Sequence, residues 1–201
     1  MSKLKINIIL FGIGNIGSTL INQIIESQDF FLESKNVDFH FPIITNSTVA
    51  FFEKEGVGYS WETNFRQLAV PFKVEDIIEF AKENEFENLI AVDATDSDEL
   101  VKHYNTLIEN GFNIVAVNKK ANTLPIDLYK ELRSNLKKYD KEFLYETSVD
   151  TGIPVLQTLR DLYYSGEKIT KIRGVFSDNL SYVFNRFSAE EVTFSSVLKD
   201  A

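Results

Sequence analysis

The sequence contains no cysteine among its 201 residues. Disulfide bonds, thiolate metal sites and a cysteine nucleophile are therefore excluded. Histidine is scarce as well, since only His40 and His103 occur. Neither has the neighbouring ligands that a metal site requires, so a metal centre built on histidine is not expected.

Long hydrophobic runs and a basic charge balance are also missing. No apolar run approaches the ~20 residues that span a bilayer, and the N-terminus lacks the apolar segment of a signal peptide. The formal net charge is −9, whereas a nucleic-acid-binding face needs clustered lysine and arginine. The sequence therefore predicts a soluble cytoplasmic protein with no membrane partner and no nucleic-acid partner.

Strand-like and helix-like segments alternate up to about residue 150. Apolar β-rich runs predict strands at 5–11, 37–45, 88–95, 113–118 and 141–147. Helical spacing of apolar side chains predicts helices at 15–28, 73–84, 97–110 and 125–139. Residues 46–65 are expected to be irregular or short helical structure. This order is typical of a doubly wound parallel sheet of the Rossmann type, an α/β fold.

The alternation stops after residue 148. A helix is predicted to begin near Pro154, a half-exposed strand to cover 168–177, and two helices to follow. We therefore expect a first domain over 1–148 and the beginning of a second, incomplete α+β domain over 149–201.

Glycine is concentrated where the first strand meets the first helix. Residues 8–19 read "IILFGIGNIGST", which places Gly12, Gly14 and Gly17 in the pattern G-x-G-x-x-G. In a dinucleotide-binding loop the first glycine makes the turn, the second admits a pyrophosphate, and the third lets the helix approach the strand. The context predicts dinucleotide binding. A purely structural turn is the alternative.

The end of the second strand leaves the choice between NAD and NADP open. A carboxylate there would hold the ribose hydroxyls of NAD. Residues 45–47 read "TNS", and Asn46 and Ser47 could bond either a hydroxyl or a phosphate.

Three further stretches resemble the homoserine dehydrogenase family. They are "VDATDS" (92–97), "VAVNKKAN" (115–122) and the segment from "FLYETSVDTGIP" to "SDNLSYVFNRF" (143–187). The chain is similar to this family, including the dehydrogenase half of bifunctional aspartokinase–homoserine dehydrogenases, in the family's order along its whole length. The resemblance implies NAD(P)-dependent interconversion of aspartate 4-semialdehyde and homoserine, in threonine and methionine biosynthesis, by a protein that is a homodimer at full length.

The resemblance also implies roles for single residues. The positions that match the family's cofactor site are Gly12, Ile13, Gly14, Asn15, Ile16, Gly17, Asn46, Ser47, Asp93, Ala94, Thr95, Ser97, Asn118 and Lys119. The positions that match its substrate site are Glu146 and Thr147. The positions that match a monovalent-cation site for Na⁺ or K⁺, through the backbone, are Glu146, Val149 and Thr151.

Lys119 is the candidate catalytic residue. Reducing an aldehyde requires a hydride and positive charge or a proton at the developing alkoxide. Lys119 follows a buried strand at the carboxyl edge, where open α/β sheets bind ligands. The alternative is an ordinary solvated lysine, which is what we expect of Lys120. For Asp93, a strand-end cap and a place in the cofactor loop are equal alternatives.

The chain departs from the family pattern in three places. Asp150 stands where the family has glycine in V-G-x-G, and Asp178 and Asn179 replace glycine and threonine in S-G-T-L. The family's E-P-D-P segment, with its second lysine, would follow residue 201. We therefore expect these residues to bind the cofactor and to turn over slowly or not at all.

Other functions stay open at this point. Another two-domain NAD(P) dehydrogenase, such as an aspartate dehydrogenase, would share the glycine loop. Sugar and inositol oxidoreductases usually have E-K-P where this chain reads "VNKKAN", which counts against them. A non-catalytic NAD(P)-binding module is the alternative from a different class.

Overall fold

The computed structural model describes residues 3–149, 153–174 and 177–200. Its contacts divide the chain into two compact units, Met1–Ser148 and Val149–Ala201. Within the described ranges, no helix combines the length and the apolar character that crossing a membrane would require.

The first unit contains seven strands and seven of the described helices. The strands are β1 (Leu4–Phe11), β2 (Val37–Thr45), β3 (Val49–Phe52), β4 (Val70–Pro71), β5 (Leu89–Asp93), β6 (Asn113–Ala116) and β7 (Phe143–Leu144). The helices are α1 (Asn15–Glu26), α2 (Gln28–Lys35), α3 (Trp61–Leu68), α4 (Val74–Glu83), α5 (Asp98–Val101), α6 (Tyr104–Glu109) and α7 (Ile126–Lys138).

The strands form one sheet in the order β4-β3-β2-β1-β5-β6-β7. The five strands β2, β1, β5, β6 and β7 pair in parallel, as predicted for a Rossmann-type fold. The strands β3 and β4 pair antiparallel at one edge and were not predicted. Because β1 pairs with β2 on one side and β5 on the other, the chain changes direction across the sheet at β1.

Side chains of β1 alternate between two apolar layers. Ile8 and Leu10 pack with α1 and α3 on one face. Ile9 and Phe11 pack with α4, α6 and α7 on the other face. A strand that is buried on both faces reads as a continuous apolar run, which is why the first strand was easy to predict.

Pro42 interrupts the ladder between β1 and β2. Asn7 pairs with His40 and Ile9 with Ile43, so β2 contains one residue more than β1 over this stretch. The bulge accommodates a residue that has no N–H to donate to the ladder. The strand continues through it.

Several predicted elements differ from the structure in their bounds. The helix predicted at 97–110 consists of α5 and α6, separated at Lys102 and His103, whose N–H groups bond to carbonyls three residues back. The strand predicted at 141–147 ends at Leu144 and gives way to a 3-10 turn at 146–148. The region predicted as irregular or short helical structure contains β3 and the start of α3. The predicted helix at 15–28 ends at Glu26 and is followed by the unpredicted α2.

The second unit contains three helices among its described residues. They are α8 (Val155–Tyr164), α9 (Asp178–Ala189) and α10 (Phe194–Asp200). The strand predicted at 168–177 is wrong for 168–174, which are exposed coil. A strand needs a neighbouring strand to pair with, and the described residues of this unit contain none.

We predict that truncating the central strand costs stability in proportion to burial. Ile9 is fully buried, so Ile9→Ala should lower the free energy of unfolding by about 2–5 kcal/mol. Leu4→Ala, at the 49% exposed start of the same strand, is the matched control and should stay within about 0.5 kcal/mol. Urea denaturation measures both. Equal effects would contradict the burial of β1.

Candidate functional site

The loops that follow β1, β2, β5 and β6 lie at one edge of the sheet. These strands are parallel, so their carboxyl ends meet there. The edge includes the point where the chain changes direction across the sheet, which is where open α/β sheets bind ligands. Residues 12–17, 46–47, 93–97 and 118–119, predicted as the site, occupy this edge.

Two of the three glycines are required by the fold. Gly12 has φ +94°, and a Cβ there would lie 2.8 Å from the carbonyl oxygen of Ala94. A Cβ on Gly17 would lie 1.9 Å from the carbonyl oxygen of Gly12. Glycine at these positions lets β1, α1 and the loop after β5 approach closely.

Gly14 differs from both. Apart from Gly14, its chain neighbours and the first turn of its own helix, no atom of the described residues lies within 4 Å of the place where its Cβ would be. Gly14 is also the N-cap of α1, and no side chain in the described ranges caps that helix. The first turn contains no acidic residue, and Asn15 and Ile16 are exposed. Open backbone N–H groups at the positive end of a helix are suited to an anion.

A cleft of about 760 Å³ opens beside this loop. It is within the size range of small-molecule sites. The predicted residues Asn46, Ser47, Thr95 and Ser97 line it. The side chains of Lys73 and His103 line it too, and the sequence reasoning missed both of them. Lys73 directly precedes α4, and His103 lies at the break between α5 and α6.

Asn46 has a structural part in the cleft wall. Its Oδ1 accepts hydrogen bonds from the backbone N–H of Thr48 (2.9 Å) and of Val49 (2.8 Å). This Asx turn joins β2 to the antiparallel β3. It leaves Ser47 exposed at the tip.

The carboxylate of Asp93 is buried beneath the loops. Oδ1 accepts from the backbone N–H (2.9 Å) and hydroxyl (2.6 Å) of Thr95. Oδ2 accepts from the Tyr104 hydroxyl (2.6 Å) and from Nδ2 of Asn118 (3.0 Å). Four donors surround a residue that is 1% exposed. Of the two roles predicted for Asp93, the geometry favours the strand-end cap.

Asn118 connects two loops. Its Nδ2 also donates to the Ser97 carbonyl (2.9 Å), and its Oδ1 accepts from the Lys120 N–H (3.0 Å). Ser97 in turn caps α5 by accepting from the N–H of Glu99 (3.1 Å). The side chain of Asn118 is therefore occupied within the protein.

The two lysines after β6 differ. The Nζ of Lys120 donates to the Asp96 carbonyl (2.9 Å) and lies 3.5 Å from Oδ1 of Asp98. The expectation that Lys120 only faces solvent is wrong, because its side chain joins two loops. Lys119 is exposed, and within the described ranges no side chain or carbonyl pairs with its ammonium group.

The candidate substrate residues follow β7 in the 3-10 turn. The hydroxyls of Thr147 and Ser148 approach the Ala116 carbonyl at 3.4 and 3.5 Å, so the turn lies against the end of β6. Glu146 is partly buried in the same turn. Val149 belongs to the second unit, and Thr151 lies outside the described residues, so the monovalent-cation site stays a prediction.

The substitutions relative to the family pattern are at Asp150, Asp178 and Asn179. Asp150 lies outside the described residues. Asp178 begins α9, and the Ser177 hydroxyl caps this helix by accepting from the Leu180 N–H (3.2 Å). The backbone at this departure is therefore an ordinary helix start.

Tyr104 was not predicted as part of the site. Burial raises the pKa of its hydroxyl well above the usual value, and the adjacent negative charge of Asp93 adds to this effect. A raised pKa keeps the phenol protonated, so it can donate to Asp93 at any ordinary pH. The signal in the sequence is weak, because a tyrosine at helical spacing predicts only core packing.

We predict that Tyr104 does not ionise in the folded protein. Stabilisation from a raised pKa is fully present below the unfolded value near 10 and is lost as pH rises above it, at about 1.4 kcal/mol per pH unit. Around pH 11, tyrosinate absorbance of the native protein should be the same in wild type and Tyr104→Phe. Lower tyrosinate absorbance in Tyr104→Phe than in wild type would contradict the buried hydrogen bond.

Comparisons with known proteins agree on one family. A family model described as "Homoserine dehydrogenase, NAD binding domain" matches residues 12–146, and one described as "Homoserine dehydrogenase" matches residues 154–201. A bifunctional aspartokinase/homoserine dehydrogenase of Buchnera aphidicola is 36% identical over 201 residues, which are 100% of this chain and 24% of that protein. The chain thus spans about a quarter of that relative's length.

Solved structures show the same fold. A homoserine dehydrogenase of Thermoplasma acidophilum superposes with a TM-score of 0.73 at 22% identity, over 98% of this chain and 60% of that one. A hyperthermophilic archaeal homoserine dehydrogenase in complex with NADPH gives a TM-score of 0.75 at 23% identity, over 98% and 60%.

Proposed function

Because the chain belongs to the homoserine dehydrogenase family, we propose that its first unit binds NAD(P) and serves the interconversion of aspartate 4-semialdehyde and homoserine. The observation that carries the proposal is the open space at Gly14, which lies at the same edge of the sheet as the cleft. Close contacts within the protein require glycine at positions 12 and 17. At Gly14 no such contact is present among the described residues, so packing does not explain the glycine there.

The residues at the sheet edge fit a dinucleotide. The N–H groups of Asn15 and Ile16, at the start of α1, would hold the pyrophosphate. The cleft beyond Ser47 and Asn46 would take the adenosine end, with Thr95 and Ser97 on its other side. NADPH in the archaeal relative supports a nicotinamide cofactor.

The Lys73 ammonium and His103 line the same cleft, together with Glu75 and Glu99. Residues of both charges therefore surround the space proposed for the adenosine end, and this lining does not distinguish NAD from NADP. The binding experiments therefore use both NADH and NADPH.

When bound, the cofactor supplies or accepts the hydride. Lys119 is the group we assign to the substrate oxygen. It is exposed at the carboxyl edge of β6, and its charge is not compensated within the described residues. An ammonium there would stabilise negative charge that develops on the aldehyde oxygen during reduction. Glu146, at the end of β7, is assigned to the substrate side together with Thr147.

The proposal extends to the whole protein in three respects. We place the reaction in threonine and methionine biosynthesis and in the cytoplasm, and we propose a homodimer at full length. Exposed aromatic side chains of α9 and α10 support a further interface, since Phe184 is 57% and Phe194 41% exposed.

We predict that Gly14→Ala weakens cofactor binding without affecting stability. The added methyl group meets no protein atom but enters the space assigned to the pyrophosphate, so the dissociation constants of NADH and NADPH should rise about tenfold or more. Titration followed by nicotinamide fluorescence measures them.

The matched control for this experiment is Gly58→Ala. Its Cβ also meets nothing within 4 Å, but it lies between β3 and α3, outside the loop. Unchanged affinity in Gly14→Ala would remove the pyrophosphate from this loop. If the wild-type chain binds neither cofactor, the proposed function is wrong and the glycine loop is a purely structural turn.

We predict that Lys119→Met lowers hydride transfer by about a hundredfold or more, because the charge at the substrate oxygen is lost. Single-turnover oxidation of NADPH by aspartate 4-semialdehyde, with the protein in excess, measures the rate. Lys130→Met, at an exposed lysine of α7, is the control and should leave it unchanged. Equal rates in wild type and Lys119→Met would show that Lys119 is an ordinary surface lysine.

A further inference from the structure

Arg133, on α7, is surrounded by aromatic rings. Its guanidinium carbon lies 4.9 Å from the ring centre of Tyr129, 5.2 Å from that of Phe143 and 5.0 Å from that of Tyr145. The Nε atom is buried and has no hydrogen-bond partner among the described residues. Such a position is costly for a cation unless the rings and a directed hydrogen bond compensate for the lost water.

The directed hydrogen bond goes to Asn122. Nη2 of Arg133 donates to Oδ1 of Asn122 over 2.9 Å. No carboxylate in the described ranges forms an ion pair with Arg133. Arg133 is half-buried, and its planar guanidinium combines contacts to three rings with a hydrogen bond that an apolar side chain at this position could not make.

Asn122 ends the turn that carries Lys119. We call residues 118–122 the Lys119 turn. At its start, Asn118 is held by the carboxylate of Asp93 (3.0 Å). At its end, Asn122 is held by Arg133. Inside it, the N–H of Asn122 bonds to the Lys119 carbonyl over 3.1 Å.

The same arginine also contacts the segment that leads to Glu146. Tyr145, one residue before Glu146, stacks on the guanidinium and packs against Phe143 with ring centres 4.9 Å apart. Phe143 in turn packs against Tyr104 at 5.7 Å. Both segments assigned to substrate chemistry therefore contact one side chain on an outer helix.

We propose that Arg133 is a positioning residue, which holds the Lys119 turn and the approach to Glu146 in a fixed arrangement. The functional consequence rests on the proposed function, because that proposal assigns Lys119 and Glu146 to the substrate. The structural part, that Arg133 restrains the Lys119 turn, is independent of it.

Amide hydrogen exchange of the free protein tests the structural part. Arg133→Met keeps the length of the stem but removes the hydrogen bond to Asn122. The amides of Lys120, Asn122 and Thr123 should then exchange about tenfold faster or more, while those of Ile9 and Leu10 in β1 keep their protection. Unchanged exchange in the turn would overturn the proposal.

Three further variants separate this effect from general loss of stability. Asn122→Asp keeps the oxygen that accepts from Arg133 and should retain protection, whereas Asn122→Ala should reproduce the faster exchange even if Arg133→Met fails to fold. Arg66→Met is the matched control, because Arg66 on α3 is exposed and, among the described residues, pairs only with exposed Glu62. Faster exchange of the turn in Arg66→Met would overturn the assignment to Arg133.

A double-mutant cycle tests the functional consequence. If Arg133 acts through Lys119, Arg133→Met should slow single-turnover hydride transfer about tenfold in the wild-type background and hardly at all in Lys119→Met. Equal slowing in both backgrounds would reduce Arg133 to a stability residue. Absence of NADH and NADPH binding in the wild type would contradict the proposed function, and the exchange result would still decide whether Arg133 restrains the turn.

Discussion

The carboxylate of Asp93 accepts four hydrogen bonds at a position that is almost completely buried. A buried charge is tolerated only where donors replace the lost water, so the three segments that supply those donors have to meet at the end of β5. Thr95 lies in the loop after β5, Asn118 lies in the turn after β6, and Tyr104 lies at the start of α6. The floor of the candidate site therefore depends on this one group.

The same requirement explains why the predicted helix at 97–110 is divided. Tyr104 begins α6, and its hydroxyl reaches Asp93 from there. Tightened turns at Lys102 and His103 separate α5 from α6. His103 consequently lines the cleft, although the sequence placed it inside one continuous helix at 97–110.

Some groups at the site are used by the protein's own structure, and others are available to a ligand. Gly12, Gly17, Asp93, Asn118 and Lys120 are occupied by the protein's own packing and hydrogen bonds. Gly14 and Lys119 have open surroundings within the described residues. Groups whose hydrogen-bonding atoms are already used within the protein are not available to a ligand, so binding is expected at the open positions.

The parallel sheet, its glycine loop and the family could be predicted from the sequence. An apolar run, a helical period and a G-x-G-x-x-G spacing are local signals that can be recognised without the fold. Tertiary structure alone decided the antiparallel edge, the coil at 168–174 and the different parts played by Lys119 and Lys120. Strand pairing depends on a partner elsewhere in the chain, and two adjacent lysines look alike until distant carboxylates and carbonyls contact one of them. For the same reason, no local pattern distinguished Arg133 from the other charges of its helix, since its rings and its acceptor come together only in the fold.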